Sequence, residues 1–283
     1  MNFVNKFTCS PSQLGSMISK LHSRNTPPII DHVCEHLHQD SSRQYENFTE
    51  INNKLMAYPG NHFAVKLSAL GVTTSEDKCA SQLEVLLRHA AEGGSVLHVD
   101  AENHALQERI ERITDYYMEE FNKDHVVMYK TYQMYKKGAT ETLRRDLQAA
   151  YARNFALGVK LVRGAYMHQD RNLGVLCDSE QETHKQYDQG ILEFVSYQKK
   201  RDKMICATHN IRSLYLGRHY INKYNLKNIE FAQLLGMGDW ITSDLQRSGY
   251  KTYKYLPYGE LYESIPYLLR RLYENYPLIR YIQ

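Results

Sequence analysis

No Cys-x-x-Cys pair occurs in the chain, and its five cysteines (Cys9, Cys34, Cys79, Cys177 and Cys206) are odd in number and scattered. That argues against a disulfide framework or a cysteine-built zinc site, and makes a reducing compartment the default. No apolar run approaches the ~18 residues of a membrane-spanning helix. Proline- and glycine-rich linkers and low-complexity stretches are missing, so nothing divides the chain. The formal net charge is only +3, which leaves no dense basic face for nucleic acid. No Gly-x-Gly-x-x-Gly follows the first strand candidate, which counts against a doubly wound dinucleotide-binding sheet. Acids are absent from the first thirty residues, which carry Lys6, Lys20 and Arg24. Residues 1–27 are therefore read as an N-terminal segment with a short helix and a weak mitochondrial targeting signal; chance in a polar terminus is the alternative.

What the chain does contain is enough apolar material, 42% of 283 residues, to bury the core of one large barrel. Short β-branched or apolar runs alternate with longer amphipathic ones. The short runs are Phe63–Ser68, Ser95–Asp100, Val126–Gln133, Val159–Arg163, Met204–His209, Ile229–Leu234 and Thr252–Leu256, with an eighth near Ile29–Val33. Helical spacing is read at Glu76–Glu92, with Leu83, Leu86, Leu87 and Ala90 on one face. It recurs at Asn103–Phe121, with Leu106, Ile110 and Ile113, and at Glu141–Phe155 and Glu180–Lys199. Strand–helix alternation predicts parallel strands with crossover helices. Eight strands with few spare residues favour an α/β fold of the closed (β/α)8 type, spanning residues 28–283 as one domain.

Strands buried on both faces should be almost wholly apolar. Here polar residues fall at one end: Lys66, Asp100, Thr131 with Gln133, Lys160 with Arg163, Thr208 with His209 and Asn210, and Tyr255 late in the last strand. Those are the carboxyl ends, where barrel enzymes keep their active sites. Charges inside a barrel need partners. Lys66, Lys160, Arg163 and two further arginines stand against Asp100, Glu102 and Glu35, so cations are in excess and a bound anion would complete the balance. A solvated rim is the alternative.

The final segment, Glu260–Asn275, carries an apolar stripe of Ile265, Leu268, Leu269 and Leu272, interrupted by Arg270 and Arg271 about 100° apart on the helical wheel. Glu274 lies within reach of either arginine. Two guanidiniums on a helix over a barrel mouth suit bidentate capture of a carboxylate; an exposed basic patch is the other reading.

These segments resemble the proline dehydrogenase family from about Pro28 to Asn275. The likeness rests on FAVKLSALG (Phe63–Gly71), HVDAENHALQ (His98–Gln107), YKTYQMY (Tyr129–Tyr135), KLVRGAYM (Lys160–Met167), ATHN (Ala207–Asn210), EFAQLLGMGD (Glu230–Asp239), YKYLPYGE (Tyr253–Glu260) and YLLRRLYEN (Tyr267–Asn275). The resemblance implies a distorted (β/α)8 barrel with its last helix over the mouth. It implies non-covalent FAD held by Gln133, Lys160, Val162, Gly164 and Ala165, with Thr208, His209 and Asn210 lower in the site. It implies substrate contacts from Lys66, Asp100, Leu234, Tyr255, Arg270 and Arg271, supported by Glu274 and Glu35. By that likeness, Arg270, Arg271 and Lys66 bind the L-proline carboxylate, Asp100 holds Arg271, and Tyr255 and Leu234 wall the ring. A hydride then passes from C5 to flavin N5, giving Δ1-pyrroline-5-carboxylate, and a quinone takes the electrons. Hydroxyproline-oxidising relatives tend to carry a small residue at the position of Tyr255, so proline is the favoured substrate. The absence of an aldehyde dehydrogenase region leads to the expectation of a monofunctional enzyme, and the family suggests a mitochondrial setting on the matrix side of the inner membrane, a cytoplasmic one being the alternative. Aromatics at 250–258 and 276–283 are candidates for a peripheral membrane or partner contact, with core packing as the alternative. Oligomeric state is not legible.

Two other readings compete. His32, Glu35 and His36 match His-x-x-Glu-His, in which two histidines on one helix face share a zinc ion. That motif needs a third ligand, for which no obvious candidate exists, so no metal is expected. A barrel that binds ligand without turnover is the second; the intact Lys66, Asp100, Tyr255, Arg270 and Arg271 set argues against it.

Overall fold

The computed structural model describes residues 6–34 and 40–260. Glu35, His36, Arg270, Arg271, Glu274 and the expected last helix lie outside the described residues.

Eight parallel strands close into a barrel in sequence order. They are β1 (Pro28–His32), β2 (His62–Val65), β3 (Val96–Val99), β4 (Met128–Gln133), β5 (Gly158–Val162), β6 (Lys203–Ala207), β7 (Ile229–Leu234) and β8 (Thr252–Tyr258). Helices connect them: α1 (Leu14–Ser23) before the barrel, then α2 (Ser41–Ala57), α3 (Glu76–Glu92), α4 (His104–Phe121), α5 (Ala139–Arg153), the short α6 (Met167–Asp170), α7 (Glu180–Tyr197), α8 (Ile211–Tyr224) and α9 (Asp239–Arg247). The closing pair is β1 with β8, in register Ile29↔Tyr255 and Asp31↔Pro257. This is the expected α/β barrel; α1 is the short helix expected in residues 1–27, while α2, α6, α8 and α9 go beyond the helical segments delimited from spacing.

Local chemistry explains the helix starts. Ser75 and Ser179 accept the amides of Lys78 and Glu182, and both helices place acids in their first turn, where the helix dipole favours them. Expected strand ends shift for similar reasons. β2 stops at Val65 because Lys66 O accepts the Ala69 amide and opens a tight turn, so Lys66 stands just past its strand. Asp100 follows β3 yet still donates its amide to Val65 O. β6 stops at Ala207 because Asn210 caps α8, accepting from the Ser213 amide.

Contacts divide the chain into two compact units, one formed by Met1–Asp100 with Ala232–Gln283 and the other by Ala101–Phe231. In the first, the amino-terminal segment is built into the fold. Cys9 bridges to Tyr258 in parallel, its amide donates to Pro257 O and its carbonyl accepts from Gly259. Leu14, Ile18 and Leu21 of α1 are buried. The targeting signal expected in residues 1–27 therefore overlaps side chains that belong to the core, and excision at residue 27 would remove them.

In the second unit one polar side chain ties three segments together. Asn122 is wholly buried; its Nδ2 donates to Met128 O and Ala156 O, and its Oδ1 accepts the amides of Val127 and Met128. Deleting it removes hydrogen bonds to four backbone groups at the entrances to β4 and β5, and each buried bond lost is costly. Asn122→Ala is expected to lower unfolding free energy by at least about 2 kcal/mol in a urea titration; a loss below about 0.5 kcal/mol would show that water replaces the side chain.

Candidate active site

Alternation along each strand decides which side chains enter the barrel. On β4, Lys130 turns outward to Asp115 of α4 and Asp146 of α5, at 2.6 and 2.7 Å. Thr131 and Gln133 therefore point the other way, inward.

In the first unit, Lys66 is 7% exposed and its ammonium lies 2.6 Å from Asp31 Oδ1 and 3.8 Å from Asp100 Oδ2. Asp100 accepts the Tyr255 hydroxyl at 2.9 Å. Leu234 closes β7 half-buried, and the next amide, of Leu235, donates to Tyr255 O. Beneath them the loop after β7 is held by buried Lys254, which donates to Met237 O and pairs with Asp239. Lys66, Asp100 and Leu234 thus stand at the carboxyl ends of their strands, while Tyr255 lies midway along β8 and reaches Asp100, and Asp31 of β1 holds Lys66. Lys66 faces two carboxylates, of Asp31 and Asp100, and the expected excess of cations rests on arginines outside the described residues. Asp31 was missing from that count because its strand was the one placed least firmly, although it interrupts the apolar run Ile29–Val33 as the other polar strand residues do. Its Oδ2 has no hydrogen-bond partner among the described residues.

In the second unit, Gln133 is buried at the end of β4. Its Nε2 donates to Glu102 O at 2.8 Å, while its Oε1 accepts from the Tyr135 hydroxyl at 3.0 Å and the Ala165 amide at 3.4 Å. Lys160 is buried within β5, and Val162 and Ala165 are half-buried. Gly164 has φ +139°, and a Cβ there would fall 1.5 Å from Tyr135 Cε1. Only glycine suits that backbone and that space.

Thr208 and His209 are buried past β6. The Thr208 hydroxyl accepts from Arg163 Nη1 at 2.7 Å and from the Asn210 amide at 3.0 Å. Arg163 also donates to Ser213 Oγ and His184 Nδ1 and lies 4.3 Å from the centre of the Tyr187 ring. Burial, and then the Arg163 charge, lower the pKa of His184, which keeps its Nδ1 able to accept. Sequence reasoning counted Arg163 only as a charge; its hold on Thr208 is visible only once β5 and β6 are adjacent. Asn210 was expected at the cofactor, and its carboxamide oxygen is also engaged as the cap of α8.

The zinc reading fails on geometry. His32 ends a strand, not a helix, and its Nδ1 bonds Asn47 Oδ1 at 2.7 Å; His36 lies outside the described residues. Among the described residues no group of three or more His, Cys, Asp or Glu is arranged to hold a metal ion, and no helix is long and apolar enough to cross a membrane.

Removing one member of a buried ion pair strands the other. Asp31→Ala is expected to cost about 3–5 kcal/mol of stability, and Asp31→Asn less, because the amide still accepts from Lys66. Denaturant midpoints check this; a loss under about 1 kcal/mol for the alanine variant would mean that water already solvates Lys66.

Comparison with known proteins adds an independent line. The profile of the family described as proline dehydrogenase matches residues 20–277. The chain is 33% identical over 299 residues to "Proline dehydrogenase 2, mitochondrial" of Arabidopsis thaliana, covering 95% of this chain and 61% of that protein. It is 38% identical over 202 residues to "Carbapenem antibiotics biosynthesis protein CarD" of Pectobacterium carotovorum subsp. carotovorum, covering 67% and 51%. It is 33% identical over 212 residues to "Proline dehydrogenase 1, mitochondrial" of Homo sapiens, covering 70% and 35%. The chain therefore spans less than two thirds of these relatives' own length. In fold it resembles proline utilization A (PutA) from Bdellovibrio bacteriovorus inactivated by N-propargylglycine, with a TM-score of 0.86 at 20% identity over 96% of this chain and 32% of that one. With a profile match across most of its residues and a barrel of the same architecture, the chain belongs to the proline dehydrogenase family.

Proposed function

We propose that this chain oxidises L-proline to Δ1-pyrroline-5-carboxylate with non-covalently bound FAD. The observation that carries the reading is the connected set Lys66–Asp31–Asp100–Tyr255 on strands β1 and β8 and just past β2 and β3, in a chain whose family match spans those strands.

The residues of the second unit fit a flavin. Gly164 keeps the backbone after β5 bare of a side chain, and Gln133 retains an amide hydrogen that no described residue accepts. Gln133, Lys160, Val162, Gly164, Ala165, Thr208, His209 and Asn210 would hold FAD, which when bound supplies the two-electron acceptor.

On this reading the chain's own side chains bind and orient the substrate. The Lys66 ammonium, held by Asp31, meets the proline carboxylate together with Arg270 and Arg271. Asp100 accepts the Tyr255 hydroxyl and so fixes the ring that, with Leu234, walls the pyrrolidine. Glu274 and Glu35 support the arginines. Holding the ring in one orientation converts binding into rate. No general base is assigned. Passage of electrons to a quinone, a mitochondrial setting and a peripheral membrane contact are supported by family likeness alone; relatives include both mitochondrial proteins and a protein of Pectobacterium.

An anaerobic visible spectrum tests the reading. Purified protein is expected to be yellow and to bleach on adding L-proline, and much less on adding hydroxyproline. A colourless protein, or a flavin band indifferent to proline, would contradict it. Arg271→Met is expected to raise KM for proline at least about tenfold with flavin retained, the scale of a lost charge-assisted bidentate contact; an unchanged KM would remove Arg271 from the carboxylate site.

A further inference from the structure

Gln133 stands among the residues proposed for the flavin, and two residues behind it have no role in that reading. We propose that Tyr135 and Asp170 are positioning residues that lock the Gln133 amide as a hydrogen-bond donor to the flavin, an inference that rests on the flavoprotein reading.

The neighbours of the Gln133 amide decide which end is which. A backbone carbonyl only accepts, so the atom of Gln133 at 2.8 Å from Glu102 O is the nitrogen. The oxygen then faces two donors, the Ala165 amide and the Tyr135 hydroxyl. This leaves the second N–H of Gln133 without a partner among the described residues, on a side chain only 5% exposed. A buried donor left over in this way calls for an acceptor that the protein does not provide. The carbonyl and imine atoms of an isoalloxazine are such acceptors.

Tyr135 guards this arrangement in two ways. Its ring occupies the space where a side chain on Gly164 would stand. Its hydroxyl lies 3.0 Å from Gln133 Oε1 and 3.1 Å from Asp170 Oδ2, so its single proton is shared between these two acceptors. Asp170 is 1% exposed and is itself fixed: Oδ1 accepts the His104 amide at 2.8 Å, and Oδ2 lies 3.5 Å from the Lys136 ammonium. The His104 contact serves the start of α4, whose own cap residue Asn103 makes no side-chain cap bond. Burial, and then Asp170, raise the pKa of Tyr135 and keep it a neutral phenol able to donate. A flipped Gln133 would set its carbonyl against Glu102 O and its NH2 against the Ala165 amide, losing both bonds at once. The chain Asp170–Tyr135–Gln133 thus runs from a helix start to a donor at the strand end.

A double-mutant cycle on the FAD-loaded protein tests this, with FAD dissociation constants and visible spectra measured for wild type, Tyr135→Phe, Gln133→Ala and the double variant. Tyr135→Phe keeps the ring against Gly164 and removes only the hydroxyl. It is expected to weaken FAD binding about three- to tenfold and to shift the main visible band. In the Gln133→Ala background the same change should weaken binding less than about twofold, because the amide it positions is gone. Should Tyr135→Phe fail to fold, Asp170→Asn takes its place in the cycle with the same expectation. A yellow wild type whose FAD affinity and spectrum are indifferent to Tyr135→Phe, or an effect that persists in full without Gln133, overturns this inference alone. A wild type that binds no FAD overturns the flavoprotein reading and this inference with it.

Discussion

The ammonium of Lys66 sits 2.6 Å from Asp31 where little water reaches it, and the site in the first unit is arranged around keeping that charge. An unpaired buried ammonium would lose its proton or draw in water, and burial of a bare charge costs several kcal/mol. Asp31 resolves this from β1 and Asp100 from the end of β3, while Tyr255 on β8 is tied to the same carboxylate. Strands distant in sequence are thereby joined through side chains as well as through the backbone ladder. On the proposed reading, the arrangement would offer a cation to an incoming acid group already held in place before binding.

The second unit follows a different logic. Many of its polar groups are hydrogen-bonded to one another in networks. Arg163 serves Thr208, Ser213 and His184; Asp170 serves His104, Tyr135 and Lys136. Such networks fix orientations, and orientation is what a bound cofactor needs from the protein. The outward cluster of Lys130, Asp115, Asp146 and the Tyr132 hydroxyl plays a purely structural part, pinning α4 and α5 to β4.

Much of this was legible in the sequence because two periods dominate it. Strand-length apolar runs gave all eight strands, since the core they build needs apolar residues on both faces. Glu76–Glu92 was delimited as observed because Ser75 and the acids after it mark the start so clearly. Polar residues closing those runs pointed to Lys66, Asp100, Gln133 and Thr208, which stand at carboxyl ends; Tyr255, expected late in its strand, lies midway because β8 continues to Tyr258. Less was legible where a role depends on a partner far along the chain. Asp31 pairs with a residue 35 positions away, and Asp170 reaches His104 across 66; no local spacing encodes either. The His-x-x-Glu-His match, already set aside for want of a third ligand, is a helical motif, while His32 lies on a strand whose register with β8 is set by the barrel. Arg270, Arg271, Glu274 and Glu35 fall outside the described residues, so their part in the site rests on the resemblance.

The most direct measurement is an equilibrium titration of the oxidised, flavin-loaded Lys66→Met protein with L-proline, followed by flavin difference absorbance beside wild type. A residue that receives the substrate's acid group should leave the yellow colour intact and weaken proline binding by at least about tenfold when its charge is removed. Equal affinity in the two proteins would contradict the account, because the ammonium that Asp31 holds would then have nothing to do with the substrate.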